Sequence, residues 1–184
     1  MESSRKKAIS FLYLLFPLLL HSSAYKTGDL IFRSGSGLIS DIARNFSAHD
    51  KRFSHVGMIY IEKTKVFVIH TLDDEAKRIK HTVKEPLKSF LDDALTWKVY
   101  KLPITKKERF WLEYNIQREI KAAKPFDYHF DLQTPKTFYC TELIWSLLKD
   151  SLGRDIVPTR TIKNKQEFLS IEDILQIPNL RIYK

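Results

Sequence analysis

The 184 residues contain one cysteine, Cys140, inside the stretch FYCTELIW. A thiol does chemistry as its thiolate, which needs positive surroundings or a base beside it. Cys140 stands where a helical period begins. Leu143, Ile144, Leu147 and Leu148 follow at i+3, i+4, i+7 and i+8, so FYCTELIWSLLKD predicts a helix with a core-facing stripe. Thr137 is the expected N-cap, which places Cys140 in the first turn. Free backbone N–H groups and the positive end of the macrodipole lower a thiol pKa there, and the same groups can receive an oxyanion. The expectation is a reactive, low-pKa thiol. A small buried side chain that happens to be cysteine is the competing use.

The base for such a thiol can come from two histidines on neighbouring strands. SHVGMIYI and KVFVIH read as strands joined by a polar turn around Glu62-Lys63-Thr64. An even connection pairs Ile61 with Val66 and sets His70 opposite Gly57. His55 then shares a face with Gly57 and becomes a diagonal neighbour of His70, with Gly57 leaving room for both rings. An odd connection would send the histidines to opposite faces. A lone cysteine at a helix start with histidines on a distant strand is the layout of a Cys-His hydrolase.

The elements that must position these residues follow from pattern. KTGDLIF is a turn and a short strand, and RSGSG is loop without the Gly-Lys-Ser/Thr ending of a phosphate loop. LISDIARNF predicts a helix with Leu38, Ile39, Ile42, Ala43 and Phe46 on one face. PLKSFLDDAL reads as a short helix and WKVYKLP as a strand ended by proline. Thr105 and Glu108 form a capping box that opens a helix of about five turns, through Lys124. SIEDILQIPNLRIYK predicts a helical turn and a closing strand. Trp97, Trp111 and Trp145 are expected in the core. Asp127-x-His129-x-Asp131 has metal-like spacing without a further ligand, so a polar loop is expected and no metal.

MESSRKKAISFLYLLFPLLLHSSA has the basic start, apolar run and small-residue end of a secretory signal peptide, with cleavage after Ala24. An uncleaved membrane anchor is the second option for residues 1–24, although the run is short for a span. Residues 25–184 then form one domain, with no repeat or linker to suggest another. The chain carries +9, and +7 remains when the leader's three basic residues and one acidic residue are removed. Such charge favours anionic envelope polymers or phospholipid surfaces. Nucleic acid is not expected, because no recognition motif is present. A single cysteine in an exported chain is a free thiol.

GDLIF, FSHVGM, KPFDYHFD and FYCTELIW, in that order, resemble the circularly permuted branch of the NlpC-type cell-wall peptidase superfamily. More narrowly they are similar to the YiiX/YaeF-like permuted papain-fold enzymes. The resemblance runs from about Gly28 to the SIEDIL segment, with histidine preceding cysteine. It implies an α+β, circularly permuted papain-like fold, an antiparallel sheet packed against the helix that bears the catalytic cysteine. It also implies Cys140 as nucleophile, His55 as general base and His70 in the place of a third polar residue, often Glu. Asp73 or Asp74 would take that place if the strand were read two or three residues differently. Tyr139 and the Cys140 amide would lie beside the oxyanion. No cofactor is implied.

The function expected is an exported thiol hydrolase of amide bonds in envelope peptides such as peptidoglycan stems. Two alternatives stay open: a lipid-directed thiol esterase or acyltransferase of the lecithin retinol acyltransferase type, and a catalytically idle binding module. Apolar residues exposed beside Cys140 would favour lipid.

Overall fold

The computed structural model describes residues 25–36, 38–74 and 78–183. The signal-peptide expectation for residues 1–24 lies outside them. Six strands form one antiparallel sheet: β1 (Leu30–Ser34), β2 (His55–Glu62), β3 (Lys65–Asp74), β4 (Ile79–Pro86), β5 (Thr96–Lys101) and β8 (Arg181–Ile182). Their spatial order is β4-β3-β2-β1-β5-β8. A small hairpin of β6 (Thr161–Lys163) and β7 (Gln166–Phe168) stands apart from it. The helices are α1 (Leu38–Phe46), α2 (Leu87–Leu91), α3 (Lys106–Ala122), α4 (Cys140–Leu152) and α5 (Ile171–Leu175).

The β2–β3 hairpin has the expected register, with Ile61 opposite Val66 and Glu62 opposite Lys65 across Lys63-Thr64. β4 has no counterpart among the expected elements. Its sequence, IKHTVKEP, alternates small apolar and charged groups because it is an edge strand, where lysine and proline also discourage pairing with another chain. The β6–β7 hairpin, polar and three residues a side, is likewise absent from the sequence pattern.

Side chains alternate across the sheet and divide the core in two. Leu30, Phe32, Val56, Met58 and Ile69 face α4, whose Leu143, Ile144 and Leu147 are fully buried against them. Ile31, Ile59, Val68 and Val99 face the other way and bury Phe90 of α2. The Thr105–Glu108 capping box opens α3 as expected, and Ala123, in the left-handed region at φ 44°, ends it at Ala122, two residues before the expected Lys124. The buried Asn115 donates to Ser151 Oγ at 2.9 Å, which fixes α3 along α4.

Two expectations fail. Tyr139, not Thr137, holds the N-cap position of α4, so Cys140 is its first residue, while Thr137 Oγ1 shares a hydrogen bond with Thr134 Oγ1. Trp111 is 47% exposed rather than packed in the core, because its position on α3 faces away from α4. Trp97 and Trp145 are half-buried.

Candidate active site

β2 begins with His55 and α4 begins with Cys140, and both line a cavity of about 710 Å³ at the end of the sheet. The backbone N–H groups of Val56, Thr141 and Cys140 all draw the thiol pKa down, which places the sulfur at the start of β2 as well as of α4. Burial outweighs them and pushes the thiol up to about 11. The low-pKa expectation is therefore corrected: the helix start acts in the expected sense, but desolvation of a thiolate is the larger effect. The His55 imidazole moves the other way, well below its usual range, through burial first and then the charges of His70 and Arg33. At neutral pH both partners rest uncharged.

The histidine pair is joined by its ring nitrogens, His55 Nε2 to His70 Nδ1 at 2.8 Å. The continued β2–β3 register sets His70 opposite Gly57, the diagonal arrangement foreseen. A Cβ at Gly57 would lie 2.4 Å from Val68 Cγ1, so β2 and β3 pack here over a glycine, and 3.4 Å from His70 Cβ, an ordinary contact. Beyond His70 lies a residue the sequence reading missed. His70 Nε2 is 2.7 Å from Glu85 Oε1 on β4. His70 pairs with Val83, so Glu85 is again a diagonal neighbour, and His55, His70 and Glu85 form a line across three strands.

The carboxylate at one end assigns both tautomers. An ionised Glu85 can only accept, so His70 donates from Nε2–H and accepts at Nδ1; His55 then donates from Nε2–H. This leaves His55 Nδ1 with its lone pair. Phe90 covers the line, its ring centroid 5.7 Å from that of His55 and 5.0 Å from that of His70. The cover excludes water from a chain whose hydrogen bonds are strong only where water does not compete.

Arg33 was also missed. It is the β1 residue paired with His55, and its guanidinium lies over Phe90 at 4.7 Å while Nη1 donates to the Phe90 carbonyl at 2.9 Å. It lines the cavity and supplies positive charge that depresses His55 and favours a thiolate. Asp73 and Asp74, the alternative third members, lie on the cavity rim, where Asp73 accepts from Tyr128 Oη at 2.8 Å. Tyr139 contributes its ring to the wall, but its buried hydroxyl accepts from the Leu169 amide at 2.9 Å.

Ile42 and Phe46 of α1, Leu72, Phe126 and Phe130 make the rest of the wall largely apolar. The Asp127-x-His129-x-Asp131 loop stays outside this chemistry. Asp127 is buried and accepts from the amides of His129 and Asp131, each at 2.8 Å. Among the described residues no group of three or more His, Cys, Asp or Glu side chains could hold a metal ion.

A model of the permuted papain-like amidase enzyme family, YaeF/YiiX, C92, matches residues 24–173. Among solved structures, the chain is similar to the crystal structure of the metalloprotein YiiX from Escherichia coli O157:H7. The TM-score is 0.72 with 19% identity, over 86% of this chain and 96% of that one. A search of curated proteins gave no match. The fold and the family resemblance carried by GDLIF, FSHVGM and FYCTELIW are met by both findings.

Proposed function

The chain belongs to the permuted papain-like amidase family, and from that premise we propose that it is a thiol amidase of the cell envelope with Cys140 as nucleophile and His55 as base. The observation that carries this reading is the shared cavity of Cys140 and His55, with His55 held from behind by His70 and Glu85. Substrate carbonyl enters the cavity. The Cys140 proton passes to His55 Nδ1 as sulfur bonds to the carbonyl carbon. The carbonyl electron pair moves to oxygen, which the N–H groups at the start of α4 stabilise. Collapse of this oxyanion breaks the C–N bond, and His55 returns the proton to the leaving nitrogen. Water, deprotonated by the same His55 nitrogen, then releases the acyl group from sulfur. Glu85 acts through His70, holding His55 in the right tautomer and offsetting the imidazolium charge.

Envelope peptides fit the exported, basic character read from the sequence. The apolar wall of Phe46, Phe126 and Phe130 favours a second reading, in which the acyl group is a lipid chain released as an ester. The similar structure is titled a metalloprotein. Among the described residues no group of three or more His, Cys, Asp or Glu side chains could hold a metal ion.

The test is intact-mass spectrometry after incubation with peptidoglycan fragments or with acyl-lipids. An acyl adduct on Cys140, and loss of turnover in a folded Cys140→Ala variant, is the expected result. Turnover retained by Cys140→Ala would end the proposal, and the mass of the adduct separates the two substrate readings.

A further inference from the structure

α3 carries a surface that neither the core nor the cavity uses. Phe110, Trp111 and Tyr114 are 65%, 47% and 61% exposed. Their rings touch edge to face, Phe110 to Trp111 at 5.6 Å and Trp111 to Tyr114 at 6.3 Å, so they form one ridge. Residues three and four apart share a helix face. Lys107 lies at one end of that face and Lys121 at the other, ~20 Å apart along the axis. Both are exposed, and among the described residues neither has an ion-pair partner. The acidic groups nearby are engaged: Glu108 with Arg154 at 2.7 Å, and Asp150 and Glu119 with Arg118. Glu113, half-buried at the border, is the one acidic group of the face without a described partner. The ridge is therefore aromatic at its centre and positive at its ends.

We infer that this face docks the protein on an anionic lipid bilayer. Tryptophan and tyrosine prefer the headgroup boundary, where an apolar ring and a polar edge are both accommodated. Flanking lysines add attraction to anionic lipid. Charge complementarity sets the occupant: Glu108, Glu119 and Asp150 are already paired, so the lysines at the ends of the ridge suit an anionic headgroup layer.

Docking here leaves the cavity open. The ridge runs beside the last turns of α4, through Asn115–Ser151 and Arg118–Asp150 contacts, whereas Cys140 is at the opposite end of that helix, ~16 Å away. The ridge serves to hold the enzyme at a surface rather than to select the bond it cuts.

Cosedimentation of the full chain with vesicles tests the inference. Mixed phosphatidylglycerol–phosphatidylcholine vesicles are compared with pure phosphatidylcholine ones. Wild type should partition to the anionic vesicles and detach in high salt. The triple variant Phe110→Ser/Trp111→Ser/Tyr114→Ser should lose at least ~10-fold in partitioning. Lys107→Gln and Lys121→Gln should each lose about fivefold, on anionic vesicles alone. Thermal melting and the alkylation rate of Cys140 should be unchanged, which separates lost docking from lost folding. Equal sedimentation of the triple variant and wild type would overturn the inference. So would absence of binding by wild type, or a ridge-dependent dimer in solution that sediments no better with either vesicle.

Discussion

The line His55–His70–Glu85 and the loop Asp127–Asp131 both combine histidine with carboxylate, and they use them in opposite ways. In the first, three residues from three strands are joined side chain to side chain, at 2.8 and 2.7 Å. In the second, the Asp127 carboxylate is spent on the backbone amides of its own loop, at 2.8 Å each. The difference lies in what each arrangement leaves available. A carboxylate facing an imidazole fixes a tautomer and so aims a lone pair at a distance. A carboxylate facing amides only fixes the chain. The loop is also crowded by its own charge. Glu142, buried on α4, is raised to about 8 by burial first and by Asp127 and Asp131, with Lys124 pulling the other way. Glu85 has an imidazole to pair with, where Glu142 faces further acids.

The comparison is broken most severely at Glu85. Glu85→Gln keeps an acceptor for His70 but removes the charge that offsets the His55 imidazolium. A fall of about 10- to 100-fold in kcat with little change in KM is expected, and steady-state kinetics on an amide substrate measures it. Equal activity would reduce Glu85 to packing. On the loop side, Asp127→Asn loses one amide acceptor and gains a buried donor, which should cost about 1–2 kcal/mol in urea unfolding while leaving kcat per folded molecule unchanged. An effect on kcat without one on stability would reverse the two assignments.

The smallest effect concerns Glu142 and pH. Its folded pKa of about 8 lies above the ordinary value of 4.5, so the folded state holds the proton more tightly than the unfolded chain does. That contribution to stability is full below pH 4.5 and is lost as pH rises through 8. Thermal melting followed over that window should show a decline that Glu142→Gln flattens. An unchanged slope in the variant would place the decline elsewhere.

How far these two regions could be read in the sequence follows from their patterns. The α4 stripe and the Ile61–Val66 register rest on strong periodicity in buried elements, and both are present as expected. His55 and His70 came together for the same reason. Glu85 stayed hidden because β4, an edge strand, has too few apolar residues to announce itself; with β4 known, the diagonal step from His70 would have found it. Arg33 required the β1–β2 register, which nothing local specifies. The thiol pKa was misjudged in sign because a helix start is visible in sequence and desolvation is not. Trp111 was assigned to the core by residue type alone, and its exposed position on α3 reversed that.

The central claim is that His55, aimed by His70 and Glu85, deprotonates a thiol that does not ionise by itself at neutral pH. Iodoacetamide alkylation of Cys140, the chain's only cysteine, measures this without any knowledge of the substrate. The rate of the wild type should be flat through neutral pH, fall only well to the acid side of an ordinary imidazole as His55 takes a proton, and rise again toward pH 11 as the free thiolate forms. His55→Ala should lose the neutral plateau and keep only the alkaline rise. A profile unchanged by His55→Ala, or a single midpoint below the ordinary thiol range of about 8.5, would contradict the account.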